Sequence, residues 1–513
     1  MTDQTGRVPA SSDPLSTGHL LTGLGRRTAS NAAVTTASQG IRFVVNITST
    51  LVLARLLTPQ DFGLVAMVTA FTGFLELIKD GGLSIATIQR QEITQGQVSN
   101  LFWVNLGLGF SITCVVAGSA PVIAWFYGEP RLVPVTIAVS LTFLLTASAV
   151  QHQAIMRRQM RFVAVATIQI VASVTSLAVA IGMACTGWGY WSLVGSLLAG
   201  AVTNGLTTWL LSDWRPGLAV RGVGTRNLVG FGAHLTGAAL LQTTIKAVDT
   251  LLIGRFYGPD AVGFYSRGSA LLINPLQQFL SPFSAVLVPT LARVQDDPER
   301  FRRLFLPMLQ LIALLALPMA GFLLASSEPL VDVLLGEKWA ATVPIFTAFS
   351  VIAVYGPIGN ASTWLFTSQG RGGELLSASF ICSVFTLLSI IVGTSFGPVG
   401  VALCYSLSGL LISLPVLFYF AGRRGPIRTR ELWDCLLTNV PLGVLVFFTT
   451  FATHWTLSNC SSLVQLIVMI PASAAVAVTF VLCSPFHLRT ISVAVARFRG
   501  EHSQFVSMRR AGF

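Results

Sequence analysis

Apolar runs of about 20 residues, long enough to cross a bilayer core as helices, follow one another along this chain with only short polar breaks. Fourteen can be drawn, near residues 33–54, 62–85, 99–126, 131–152, 163–185, 188–211, 229–254, 262–289, 304–326, 341–366, 374–396, 398–420, 437–455 and 461–484. The pattern predicts an all-α polytopic membrane protein with about 14 transmembrane helices. Residues 1–30, rich in Ser, Thr, Gly and Pro, come before the first run and read as a disordered cytoplasmic tail. They lack the apolar core of a cleaved signal peptide. The connections are short, so no soluble catalytic domain is expected between spans.

The pattern also repeats. Leu51–Ala70, LVLARLLTPQDFGLVAMVTA, lines up without a gap on Leu251–Ala270, LLIGRFYGPDAVGFYSRGSA. Leu51, Arg55, Pro59, Gly63 and Ala70 recur as Leu251, Arg255, Pro259, Gly263 and Ala270. Each copy reads as a helical hairpin turning at a membrane surface. Pro121 and Gly128-Glu129 return as Pro329 and Gly336-Glu337, and Val133-Pro134 as Val343-Pro344. The offset drifts slowly from 200 to 208 to 210, as two diverged halves with small insertions require. The organisation this predicts is an N-terminal six-helix lobe over 31–212 and a C-terminal six-helix lobe over 227–421. Two additional helices over 432–484 and a basic cytoplasmic tail over 485–513 complete it. Six spans separate the copies, so the lobes run in the same direction. A pseudo-twofold axis along the membrane normal is expected to relate them, with a cleft between.

Composition agrees: 53% of the 513 residues are hydrophobic and only 10% are charged, against about 25% charged in a soluble domain. The net charge of +12 could point to nucleic acid, but its placement points to a membrane. With both termini cytoplasmic, twenty-four of the thirty-two Lys and Arg residues fall on the cytoplasmic side, four fall outside, and four lie within spans. That is the positive-inside pattern. The seven cysteines are scattered through apolar runs without metal-ligand spacing, as small core residues are.

The charges inside spans carry the candidate chemistry, because an ionisable side chain at mid-bilayer costs about 2.5–3.5 kcal/mol unless it meets a cavity or a partner. Arg42, Asn46 and Ser49 share one face of the first span, and Gln242, Lys246 and Asp249 share one face of the seventh. Glu76, Lys79 and Asp80 share a face of the second, and Arg267, Asn274 and Gln278 follow in the eighth. Arg42, Lys79, Lys246 and Arg267 are therefore candidate substrate-binding cations of a polar cavity suited to an anion such as phosphate. Glu76, Asp80 and Asp249 are candidate ion-coupling acids. Local pairing is the alternative, Lys246 with Asp249 and Lys79 with Glu76 or Asp80. His152 and His234 stand alone and read as structural or interfacial. None of the three lysines follows a glycine, so no phosphate-binding loop of the GK(S/T) type exists, and no HExxH occurs. No metal, cofactor or hydrolytic power source is expected.

Leu53–Arg90 resembles the first hairpin of polysaccharide exporters in the multidrug/oligosaccharidyl-lipid/polysaccharide flippase superfamily, in the branch with colanic-acid-type exporters. YSRGSALLINPLQQFLSPFSAVLVPTLARVQDDPERFRR, with Tyr265, Arg267, Pro275, Pro289, Arg293 and Gln295, continues the likeness. LLGEKWAATVPI, with Gly336, Lys338, Trp339 and Pro344, extends it further. The resemblance implies alternating-access transfer of a polyprenyl-diphosphate-linked oligosaccharide across the bacterial inner membrane, for exopolysaccharide, capsule or O-antigen assembly. Arg42, Lys246 and Arg267 map by position onto a cationic cavity that handles the diphosphate. The implied partners are that glycolipid, membrane lipids, and a polysaccharide polymerase or glycosyltransferases; nucleic acid is not among them. The alternatives are a multidrug/cation antiporter of the same superfamily, a peptidoglycan-precursor flippase, a membrane-embedded polymerase or ligase, and a glycosyltransferase scaffold. An antiporter for cationic drugs favours an acidic cavity. A polymerase or ligase needs a larger outer loop than any here.

Overall fold

The computed structural model describes residues 24–80, 82–90, 93–220, 225–485, 487 and 488. The remainder of both expected tails lies outside them. Among the described residues the regular structure is helical. In order the helices are α1 (Leu24–Leu56), α2 (Pro59–Thr72), α3 (Leu75–Asp80), α4 (Leu83–Gln89), α5 (Gln95–Tyr127), α6 (Leu132–Arg158), α7 (Phe162–Cys185) and α8 (Trp191–Leu211). They continue as α9 (Thr225–Ala292), α10 (Pro298–Ala325), α11 (Ser327–Leu335), α12 (Thr342–Ser368), α13 (Gly372–Thr394), α14 (Gly397–Ser408), α15 (Leu414–Arg424), α16 (Thr429–Leu437), α17 (Val440–Thr456) and α18 (Ser462–Cys483). A π-turn over Gly409–Ser413 joins α14 to α15, and α9 is two helices meeting at a break at Gly258.

Ten helices among the described residues are long and apolar enough to cross a membrane. They correspond to the third to sixth and ninth to fourteenth expected spans. The other four are those that carry the candidate charges. The helix over the first runs from Leu24, so residues 24–30 belong to α1 and not to the expected tail. Its first turns are built from Arg, Thr, Ser and Asn, which a hydropathy pattern leaves unmarked. The second is not one helix but α2, α3 and α4. The seventh and eighth lie within α9. Two further short helices, α11 and α16, occupy stretches expected to be connections.

The chain forms two compact units, one ending at Gly263 and the other beginning at Phe264. In the first unit, sequence signals set the helix starts. Thr58 and Asp61 form a capping box ahead of α2, with Pro59 in its first turn, and Thr94 with Gln97 does the same for α5. Each satisfies backbone N–H groups that the first helical turn leaves open. The two turns that repeat in sequence meet here, within the first unit. A Cβ placed on Gly63 would lie 1.8 Å from the carbonyl oxygen of Pro259, and one on Gly263 would lie 1.9 Å from that of Pro59. Only glycine permits this reciprocal approach of backbone to backbone.

After α8 the chain is extended and lies against the start of α5. Asn100 donates to the Val220 carbonyl and accepts from its N–H, at 2.6 and 2.8 Å. Trp103 donates to the Gly217 carbonyl and Gln95 to that of Arg215. Beneath this strap His152 is fully buried among Phe102, Trp209 and Trp214, its ring 4.5 Å from that of Trp209. That is the structural role expected for it.

The second unit is built on apolar packing. Leu280, Leu287 and Leu291 of α9 join Phe301, Phe305 and Ile312 of α10, Ile358 and Leu365 of α12, Phe418 of α15 and Leu432 of α16 in one cluster. The last two long helices are fastened to it. Leu314 of α10 packs on Leu442 and Val446 of α17, and Thr450 of α17 hydrogen-bonds Ser473 of α18 at 2.8 Å.

Candidate functional site

The second span breaks where its glycines fall. Gly73 ends α2 and Gly82, at φ +65°, precedes α4. A break strands backbone carbonyls that a continuous helix would have paired, and at membrane depth they need protein partners. Asn105 of α5 donates to the carbonyls of Lys79 and Asp80 at 3.0 and 3.3 Å. Gln151 of α6 donates to Asn105 Oδ1 at 2.8 Å, and Thr87 of α4 donates to Gln151 Oε1 at 2.8 Å. All three side chains are fully buried. Arg158, at the end of α6, donates to the carbonyls of Thr87 and Arg90. A cation belongs there, at the negative end of α4.

The charges of this span divide between two tasks. Lys79 is buried and donates to Glu76 Oε2 at 2.5 Å and to Thr146 Oγ1 of α6 at 2.8 Å. Asp80 turns away and accepts from the Ser84 N–H and hydroxyl at 3.1 and 2.6 Å, which caps α4. Of the two pairings expected for Lys79, the structure contains the one with Glu76.

Glu76 lines a cavity of about 410 Å³ inside the first unit. Thr69 and Thr72 come from α2 and Gly73 from the cap that ends it, and Thr142, Phe143 and Thr146 come from α6. Ala172, Ser173 and Ser176 come from α7, and Ser196, Leu197, Gly200, Ala201 and Asn204 from α8. The hydroxyls share one property. Those of Thr69, Thr72, Thr142 and Thr146 donate to backbone carbonyls within their own helices. Ser173 and Ser196 do likewise, and Ser176 donates across to the Ser196 carbonyl. Each of these protons is spent on the backbone, so the hydroxyls present oxygen lone pairs, while Asn204, whose Oδ1 accepts from Gln153, keeps its amide N–H groups as donors. Val139, Leu197 and the Phe143 ring are apolar surface between them.

Arg42 is tied to the same place. Its guanidinium donates to Gln169 Oε1 of α7 at 3.0 Å. Gln169, Ser173 and Ser176 follow at i, i+4 and i+7 on one face of that helix, so Arg42 is anchored one turn from the cavity wall. The other expected residues are not gathered here. Asp249 accepts from the Thr250 N–H at 2.6 Å on α9, Arg267 belongs to the second unit, and the side chain of Lys246 lies outside the described residues. Asn105, Gln151, Thr87 and Arg158 were not expected. The signal for the first two was their residue type, uncharged amides just inside the ends of expected apolar spans.

Comparison with known proteins decides the family. A polysaccharide biosynthesis protein family model matches residues 52–344, more than half of the chain. This chain belongs to that family. Over 382 residues the chain is 27% identical to the lipopolysaccharide biosynthesis protein WzxC of Escherichia coli K12, covering 72% of this chain and 75% of that one. It is 25% identical over 379 residues to the teichuronic acid biosynthesis protein TuaB of Bacillus subtilis, covering 68% and 78%. Over 364 residues it is 25% identical to the succinoglycan biosynthesis transport protein ExoT of Rhizobium meliloti, covering 71% and 72%. Among solved structures, the lipid II flippase MurJ in its inward closed conformation has a TM-score of 0.67 at 13% identity, covering 87% of this chain and 98% of that one. An inward-facing multidrug resistance transporter of the MATE family has a TM-score of 0.58 at 15% identity, covering 77% and 96%. These two solved structures share the fold of this chain.

Proposed function

We propose that this protein is a flippase that moves polyprenyl-diphosphate-linked oligosaccharides across the bacterial inner membrane by alternating access, for exopolysaccharide, capsule or O-antigen assembly. The observation that carries this reading is family membership across residues 52–344 joined to a fold shared with a lipid II flippase. Relatives named for lipopolysaccharide, teichuronic acid and succinoglycan biosynthesis differ in polymer. What their cargoes would share is the carrier lipid and its diphosphate. In this reading the chain has fourteen spans in two six-helix lobes with two additional helices, both termini are cytoplasmic, and transport runs without ATP hydrolysis. A polymerase and glycosyltransferases are its proposed partners.

Arg42 has the chemistry for the diphosphate. A planar guanidinium pairs with phosphate oxygens in two-point fashion, and its amide partner Gln169 holds it without neutralising its charge. Lys246 and Arg267 are proposed for the same group, and Asp249 for ion coupling. Glu76 and Lys79 enter as a pair, so neither contributes a lone charge. That pairing also disfavours a cation antiporter working through Glu76.

The test is genetic. A strain lacking the gene loses surface polymer and regains it with the intact chain. Arg42→Lys restores part of the polymer and Arg42→Ala restores little, at equal membrane abundance. Normal polymer from Arg42→Ala removes Arg42 from the proposed site.

A further inference from the structure

The last two long helices are held unevenly along their length. In its first half α17 is clamped to α10: Leu442 and Val446 pack on Leu314, and a Cβ on Gly321 would lie 2.3 Å from the Gly443 carbonyl oxygen. From Phe451 to Val464, the end of α17 and the turn into α18, no residue is buried. What fastens this corner is polar, and it centres on His454 in the last turn of α17. Its partners fix where its protons lie. Gln465 of α18, which is buried, donates from Nε2 to the Cys460 carbonyl at 3.0 Å. A carbonyl only accepts, so this contact orients the amide and leaves Oε1 toward His454 Nδ1, at 2.8 Å. Oε1 also only accepts, so Nδ1 is the nitrogen that carries a proton, and a neutral imidazole has just one. Nε2 is then a bare lone pair. It faces Oε2 of Glu328, on α11, at 3.7 Å.

In the neutral state, then, a lone pair confronts a carboxylate and nothing joins α17 to α11 at this point. A second proton, on Nε2, turns the same contact into an ion pair. The surroundings are otherwise poor in charge. α18 has no charged residue, and neither has residues 311–325 of α10. Asp332 follows Glu328 by one turn of α11, and Cys460 is the other titratable side chain of the corner. We infer that His454 is a proton-operated latch: protonated, it fastens the α17–α18 corner to α11, and neutral, it releases it. The pair exists only with the proton bound, so the fastening is present on the acid side and lost as pH rises. An imidazole ordinarily changes charge between about pH 5 and 8. The topology proposed above places the corner on the outer face, where pH follows the surroundings. The latch itself rests neither on that topology nor on the flippase reading.

The test uses the full chain in lipid nanodiscs. Hydrogen–deuterium exchange of residues 450–466 is followed by mass spectrometry at about pH 5.5 and about pH 8, with labelling times scaled for the pH dependence of intrinsic exchange. Glu328→Gln, a change at an exposed residue, is expected to speed exchange of the corner about threefold at the acid pH and not at the alkaline one. His454→Gln does the same, and adding Glu328→Gln to it changes nothing further. Gln465→Leu removes the acceptor that holds the proton on Nδ1, so a neutral ring can place it on Nε2, and the difference between the two pH values flattens. Asp332→Asn leaves that difference as it is in the intact chain. Exchange across residues 311–325 of α10, matching the intact chain, shows that each variant compared is folded. The inference is overturned if Glu328→Gln acts equally at both pH values or at neither, if its effect persists in the His454→Gln background, or if Asp332→Asn reproduces it. A full pH difference in Gln465→Leu overturns it as well, because the proton on Nδ1 would then not be what keeps Nε2 bare.

Discussion

Residues 59–89 and 259–289 are the same stretch in the two copies of the repeat, yet the first is three short helices and the second continuous helix. Where the first copy has Gly73-Phe74, the second has Ile273-Asn274; where the first has Asp80-Gly81-Gly82, the second has Leu280-Ser281-Pro282. The first breaks, frees its carbonyls, and depends on Asn105, Gln151, Thr87 and Arg158 to satisfy them. The second sends Leu280, Leu287 and Leu291 into an apolar cluster with Phe301 and Phe305. Among the described residues, one copy of the unit carries a cavity and a polar network, and the other contributes to an apolar cluster. The two copies differ in sequence at the positions where the first breaks and the second stays helical.

The largest expected effect lies where the copies still agree. Alanine at Gly63 or at Gly263 drives a methyl group into a backbone carbonyl, and each costs about 3 kcal/mol as overpacking. Melting of the purified variants checks this. Clearly unequal losses would mean that the reciprocal contact is not shared.

Next, Gln151→Leu strands Asn105 Oδ1 in a buried site, while the Thr87 hydroxyl keeps the Leu83 carbonyl as acceptor, and costs about 2 kcal/mol. Asn105→Leu with Gln151→Leu should cost less than the sum of the two single changes, because they share one network. Additive losses would show that the network is not coupled.

A smaller effect separates the copies again. Gly82 sits at φ +65°, so Gly82→Ala costs about 1 kcal/mol. Ser281→Ala, one residue earlier in the second copy and within continuous helix, costs close to nothing.

The smallest effect concerns pH. The Arg131 guanidinium, hydrogen-bonded to Glu129 at 2.8 Å, holds that carboxyl below the usual carboxylate range. A folded pKa depressed in this way adds stability above the unfolded value of about 4.3, lost as pH falls through the lower folded value. Arg131→Ala should therefore lower the melting temperature slightly at pH 7 and not at all in strong acid. An equal loss at both pH values would assign Arg131 a packing role instead.

Hydropathy and the repeat made the ten apolar spans and the paired turns legible, because bilayer thickness fixes helix length and a proline-to-glycine hairpin leaves a sequence mark. They did not make the break in the second span legible. Glycines at 73, 81 and 82 lie in a stretch apolar enough to read as one helix, and only the partners on α5 and α6 determine how it ends. Attention to charge singled out Arg42, Glu76 and Lys79, whose contacts the structure describes. It passed over Asn105 and Gln151, which are uncharged and yet fully buried. The cavity could not be read at all, since hydroxyls that bond to their own helix look in sequence like ordinary Ser and Thr of a membrane helix. The strap after α8 was missed for a similar reason: Asn100, Trp103 and Gln95 bind its backbone, which carries no sequence signature.

The most direct test of the central claim is the sidedness of lipid-linked oligosaccharides in cells depleted of this protein. Complete units accumulating in the inner leaflet, with surface polymer lost, are the predicted result. Units that reach the outer leaflet and remain unpolymerised would contradict it and place the protein after the flipping step.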